Sequence, residues 1–258
     1  MNYNYYNDRY PKHFDEKYKD IPYLFLDIPK IVPDDNFKEL WDTKKVSIVR
    51  QKPDDRYPFK NAEEAEVYFQ QTGRTNEYAK SNWDGFIALS TKAADDRWAS
   101  SIVDGPTLLP KFFQQLYEYL PIARLTQVLF WSNNIGIGVH RDLSEQYSWP
   151  SSIRLMVEDE NTQPTFFLTP FDENLPANTP SLPIPDNIYK RAEIQFIDTN
   201  NSSSNVFMYN NKQWAHGAIK VPGRRKILCA LGIDYDFDKL EVLLDRSIAK
   251  YGKNLRQQ

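Results

Sequence analysis

After Pro121 the apolar pattern of this chain changes period, and that change limits what it can fold into. From there the apolar residues come in short runs, at 122–130, 135–139, 152–157, 164–168, 193–197, 205–209 and 226–233, split by Asn, Gly, Pro and Ser. Short runs punctuated by turn formers predict strands, and many in succession predict an all-β sandwich or barrel. Upstream the spacing is helical. Asp34 and Asp35 are placed to cap a short helix through Leu40 and Trp41, and 61–71 reads as an amphipathic helix. Residues 107–120 form a third, with Leu109, Phe112, Phe113, Leu116 and Leu120 on one face and Pro121 ending it. A strand-like piece lies at 21–28, and 238–251 closes the chain as a helix with Leu240, Leu243, Leu244 and Ile248 on one face. The expectation is one mainly β (α+β) domain over 1–258. Residues 1–120 give helical N-terminal support, 121–236 the β core and 237–258 a C-terminal helix.

Composition narrows the function classes. At 41% hydrophobic residues the chain can bury a sizeable core, and a net charge of −3 gives no electrostatic case for a nucleic-acid partner. No stretch approaches the roughly 18 consecutive apolar residues of a membrane span. The polar, aromatic first six residues lack the apolar core of a signal peptide, so the expected location is the cytoplasm. The single cysteine, Cys229, excludes an intrachain disulfide and sits in the apolar run 227–231, where it reads as a small buried hydrophobe. The stretch 171–187 has four prolines and no periodicity, and reads as a lid or a surface excursion.

The chain has three histidines. One, His13, lies in a polar segment and reads as a solvated surface residue. His140 and Asp142 form a His-x-Asp pair, and residues i and i+2 of a strand share a face, as chelation requires. His216 follows 76 residues after His140, behind the strand-like run 206–209. Two imidazoles and a carboxylate make a facial triad that holds Fe(II) and leaves positions open for O2 and a co-substrate. Trp131, Asn133, Asn134 and Trp214 are candidates to wall such a site. No Gly-rich phosphate loop, Ser-His-Asp order or Cys/His zinc spacing is present.

The region VLFWSNNIGIGVHRD and the later NVFMYNNKQWAHGAIKVPGRRKILCALGIDYD together resemble the 2-oxoglutarate/Fe(II)-dependent oxygenases. Within them the resemblance is to the proline hydroxylase and aspartyl/asparaginyl β-hydroxylase-like branch, carried by WDGFIAL at 83–89, Arg154 twelve residues after Asp142, and His216-Gly217-Ala218. It covers roughly 80–236 and implies a double-stranded β-helix (cupin-like jelly roll) core with flanking N-terminal helices and a C-terminal helix. It also implies Fe(II) held by His140, Asp142 and His216, with 2-oxoglutarate and O2 as co-substrates. Arg225, nine residues after His216, is the implied anchor for the 2-oxoglutarate carboxylate, with Arg154 assisting and Arg224 as the alternative. Where the branch often has a second histidine after the Arg154 position, this chain has Met156. The implied activity is hydroxylation of an unactivated C–H in an amino acid or peptidyl side chain, with release of succinate and CO2. The presence of Asp142 argues against a halogenase. A cupin-like metal-binding or sensing module without oxygenase activity is the alternative. A structural sandwich with incidental histidines is the third reading, and it fails if the three ligands converge.

Overall fold

The computed structural model describes residues 11–49, 67, 82–91, 101–133, 137–140, 153–159, 165–168, 194–197, 203–210, 214, 216–218 and 226–252. The strands of the core are β4 (Ile122–Asn133), β5 (Ile137–His140), β6 (Ile153–Asp159), β7 (Thr165–Leu168), β8 (Ile194–Phe196), β9 (Val206–Tyr209), β10 (His216–Ala218) and β11 (Lys226–Tyr235). All but β10 fall on runs predicted from the sequence, with ends shifted by a few residues; β10 lies between the runs 205–209 and 226–233.

Their pairing is nested. The first core strand pairs with the last, β4 with β11, then β5 with β10, β6 with β9 and β7 with β8, all antiparallel. Successive pairs fall in alternate sheets, so one holds β9-β6-β11-β4 and the other β5-β10-β7-β8. A long hairpin rolled up in this way is a double-stranded β-helix, a jelly roll, which hides sheet edges by curling them against each other. The N-terminal part contributes strands as well as helices. β1 (Tyr23–Phe25) extends the first sheet beside β9, and β2 (Val46–Val49) and β3 (Asn82–Ser90) extend it beyond β4.

One face of this larger sheet is the main core. Val206, Leu155, Cys229, Phe130 and Phe86 lie opposite one another across five strands, and each is fully buried. Helices α2 (Phe37–Lys44) and α4 (Pro110–Tyr119) cover it, with the Phe37 ring 4.9 Å and the Phe112 ring 5.3 Å from that of Phe130. The other face looks toward the second sheet.

The helix predicted over 107–120 is broken. Leu109 has left the helical region (φ −131°, ψ 53°), because a residue before proline is pushed out of it. The result is α3 (Gly105–Leu108) followed by α4, which starts on Pro110. Gly105 packs against the Ala88 backbone where any side chain would collide. The acidic pair does not cap α2. Asp34 reaches across to the start of α4 instead, where its carboxylate accepts from the backbone N–H of Lys111 (3.1 Å) and Phe112 (2.9 Å). These are the N2 and N3 donors that an N-cap satisfies, supplied here from 77 and 78 residues away.

The last helix, α5 (Phe237–Tyr251), is capped by Asp236, whose side chain accepts from the Lys239 N–H. It buries Leu240, Leu243, Leu244, Ser247 and Tyr251. Ser247 Oγ accepts from Asp27 N–H at 2.9 Å, and the Asp27 carboxylate pairs with Lys250 and with Arg246 (2.9 Å). The hydrogen bond from Lys250, aided by the charge of Arg246, holds the Asp27 carboxyl below its ordinary range. His13 is exposed, as expected, and pairs with Glu241 at 3.2 Å; it sits on α1 (His13–Lys17). No helix among the described residues is long and apolar enough to cross a membrane. The predicted helix at 61–71, apart from helical Val67, and the stretch 171–187 lie outside the described residues.

Two predictions follow from these ties. Asp34→Ala removes the cap of α4 and costs about 1 kcal/mol, read as a lower urea midpoint with an unchanged slope. A carboxyl whose pKa is depressed in the folded state adds stability above its unfolded pKa, about 3.9 for Asp, and loses it as pH falls through the folded value. Asp27→Asn is therefore less stable than wild type at pH 7, by up to about 1 kcal/mol for so exposed a set of partners, and the gap narrows toward pH 3 in urea titrations at both values.

Candidate metal centre

β5 and β10 are the second rung of the rolled hairpin, and their register sets His140 directly opposite His216. Residues directly opposite in an antiparallel pair share a face of the sheet. On the other side of β10, Phe167 of β7 lies opposite His216, so the three residues occupy one row. The nested topology thus brings together two histidines 76 residues apart in sequence.

His216 is buried, at 7% exposure, in an aromatic setting. Phe167 stacks on its ring (5.8 Å between centroids, 28° between planes), and Tyr209 leans on it at 5.7 Å and 49°. Phe167 spans the gap between the sheets: its ring stacks on Tyr23 at 5.4 Å and meets Tyr209 edge-on at 5.3 Å. The imidazole Nδ1 lies 3.4 Å from the Trp214 carbonyl oxygen. With Nδ1–H donated to that carbonyl, Nε2 carries the lone pair through which a neutral imidazole can bind a metal. A buried imidazole so oriented, opposite a second histidine, fits a divalent metal such as Fe(II).

Arg154 stands on the sheet face turned toward this row, in line with Phe207 on one side and Ala230 on the other. Its guanidinium is 6.0 Å from the Tyr209 ring centroid, and Nη1 donates to the Ile153 carbonyl at 3.2 Å. Among the described residues this one hydrogen bond leaves most of the five donors of the half-buried cation for an anion. Burial raises the Cys229 thiol pKa strongly and the nearby Arg154 charge offsets only part of that, so Cys229 is an inert core residue.

Of the remaining site residues expected from the sequence, Asp142, Arg224 and Arg225 lie outside the described residues, as does Asn134. Among the described residues no three His, Cys, Asp or Glu side chains gather as a metal site. Trp131 is half-buried opposite Leu228 of β11. Trp214 differs from expectation: it sits at a bend, and its indole N–H donates to the Lys19 carbonyl at 2.8 Å. Tyr209 and Phe167, which frame His216, were not singled out in the sequence. Both end or lie within apolar strand runs, where alternation separates two faces without saying which one meets the histidine.

No family model matches the chain, and no characterised protein matches it in sequence. Among solved structures it is similar to a prolyl hydroxylase from Trichoplax adhaerens in complex with a hypoxia inducible factor oxygen degradation domain peptide fragment. That likeness has 10% identity over 76% of this chain and 86% of the other, with a TM-score of 0.28. It is also similar to ycfD of E. coli, at 12% identity over 84% of this chain and 57% of the other, with a TM-score of 0.30. The chain thus spans little more than half of the E. coli protein. These likenesses add nothing to the fold that strand order and register establish.

The bridge across the sheets has a measurable consequence. Phe167 is fully buried, and Phe167→Ala removes the ring that Tyr23, Tyr209 and His216 all contact, costing about 3–5 kcal/mol in equilibrium urea unfolding.

Proposed function

We propose that this chain is an Fe(II)/2-oxoglutarate-dependent dioxygenase that hydroxylates an unactivated C–H of an amino acid or peptidyl side chain. The observation that carries the reading is the placement of His140 opposite His216 on adjacent strands of a double-stranded β-helix, with His-x-Asp continuing from the first of them. His140, Asp142 and His216 hold the metal. When bound, Fe(II) with 2-oxoglutarate and O2 supplies the oxidising power: one oxygen atom goes to the C–H, and the other to the succinate that forms with CO2.

The protein's own residues bind and orient. Arg225 takes the far carboxylate of 2-oxoglutarate in a bidentate pair, with Arg224 as the alternative anchor. Arg154, with donors to spare beside Tyr209, is the second cation for that anion. Phe167 and Tyr209 keep water from the flank of His216 and hold its ring plane, so its nitrogen does not have to be ordered when metal arrives. A buried apolar wall also strengthens the attraction between metal, carboxylates and guanidinium. The substrate is a small amino acid or a peptidyl side chain, with free proline the first to try. The mildly acidic chain gives no electrostatic case for nucleic acid.

The test is succinate release coupled to a +16 mass product across a panel of free amino acids and peptides. Wild type releases succinate, and Asp142→Ala releases none; undiminished succinate from that variant contradicts the reading. Anaerobic addition of Fe(II) and 2-oxoglutarate gives a weak charge-transfer band that His216→Ala lacks. Metal binding without any succinate favours the sensing module instead.

A further inference from the structure

The residue whose carbonyl faces the His216 imidazole is itself held from outside the barrel. The turn between β9 and β10 carries Asn210 and Trp214, both buried. Trp214 N–H donates to the Asn210 carbonyl at 3.0 Å, and Asn210 N–H donates to the Pro22 carbonyl at 2.9 Å. The Asn210 side-chain amide reaches the carbonyls of Tyr18 (3.4 Å) and Lys19 (3.5 Å), and the Trp214 indole N–H takes the Lys19 carbonyl at 2.8 Å. The turn that delivers the distal histidine is therefore tied at several points to residues 18–22.

That segment is in turn fastened to the C-terminal helix. Lys17 Nζ pairs with Glu241 at 2.7 Å and with Asp245 at 2.8 Å, and Tyr18 OH donates to Asp245 at 3.1 Å. Beyond it, β1 runs along β9 with Tyr23 opposite Tyr209. Residues 13–25 thus form a strap from α5, past the turn, to the aromatic wall of His216. The bond from His216 Nδ1 to the Trp214 carbonyl is long at 3.4 Å, so its direction depends on where that carbonyl is held.

We propose that Trp214 is a positioning residue for His216: its indole, anchored on the Lys19 carbonyl, fixes the backbone carbonyl that orients the imidazole, which makes the N-terminal strap part of the metal site. This rests on His216 being a metal ligand, as proposed above. Partners that orient a ligating imidazole influence metal affinity by about 10- to 100-fold.

The experiment is a Co(II) titration of the full chain, read from the d–d absorption of the bound ion, with the thermal midpoint of the metal-free protein measured alongside. Trp214→Phe keeps a ring in place and removes the indole donor; it binds Co(II) about 10-fold more weakly, with an altered band. Phe113→Leu, a core change under α4, lowers the thermal midpoint and leaves the Co(II) affinity at wild type. Lys17→Ala combined with Tyr18→Phe frees the strap from α5 without entering the barrel, and weakens Co(II) binding several-fold. Wild-type affinity and band in Trp214→Phe overturn the proposal while leaving the metal site standing. If that variant does not fold, wild-type affinity in the Lys17/Tyr18 variant overturns it. Co(II) binding that survives in His216→Ala overturns both the proposal and the reading of the site.

Discussion

The pairing of β5 with β10 is the constraint on which the rest depends. Neither strand is long: four residues in one and three in the other. Their register is set by the rungs on either side, where β4 pairs with β11 over most of its length and β7 pairs with both β10 and β8. A slip by one residue would move every side chain of the strand to the opposite face. It would take His216 out of the row that holds His140 and Phe167, so the buried faces of the long strands are what keep two distant histidines together.

Packing around that row shows how the barrel is held shut. Phe167 projects from the smaller sheet into a cluster with Tyr23, Tyr209 and His216, so the contact that closes the sandwich is also the contact that holds the candidate ligand. On its far face the larger sheet is sealed by an unbroken buried row from Val206 to Phe86. Charged groups are placed at the ends of elements: Asp34 on α4, Asp236 on α5 and Asp27 between the strap and α5. Each satisfies backbone donors or cations that a helix end leaves over.

Most of the core was legible from the sequence because period 2 is a local property, and short apolar runs between turn formers mark strands wherever they pair. The same locality explains what was not legible. Asp34 looks like a cap for the helix that follows it, and nothing near it in sequence shows that α4 is its partner. The break at Leu109 was hidden by a good apolar stripe, although Pro110 carried the signal. In the N-terminal third β1 was legible as the strand-like piece at 21–28, while β2, only four residues long, was not. At the site, His140 and His216 were identified by residue type and order. The residues that hold His216 were not, because an aromatic in an apolar strand looks the same whether it fills a core or flanks a ligand. Trp214 was noticed for its position two residues before the histidine, while its actual partner, the Lys19 carbonyl, is a backbone atom that no side-chain pattern reveals.

The central claim is that His140 and His216 share one divalent metal with the carboxylate of Asp142. Diffraction from crystals grown anaerobically with Mn(II) and 2-oxoglutarate, collected at an energy where manganese scatters anomalously, tests it directly. The account predicts a single strong anomalous peak bonded to one nitrogen of each histidine and to an Asp142 oxygen, with 2-oxoglutarate filling two further positions. An anomalous map with no peak between the two histidines, or a metal bound elsewhere on the chain, would contradict it.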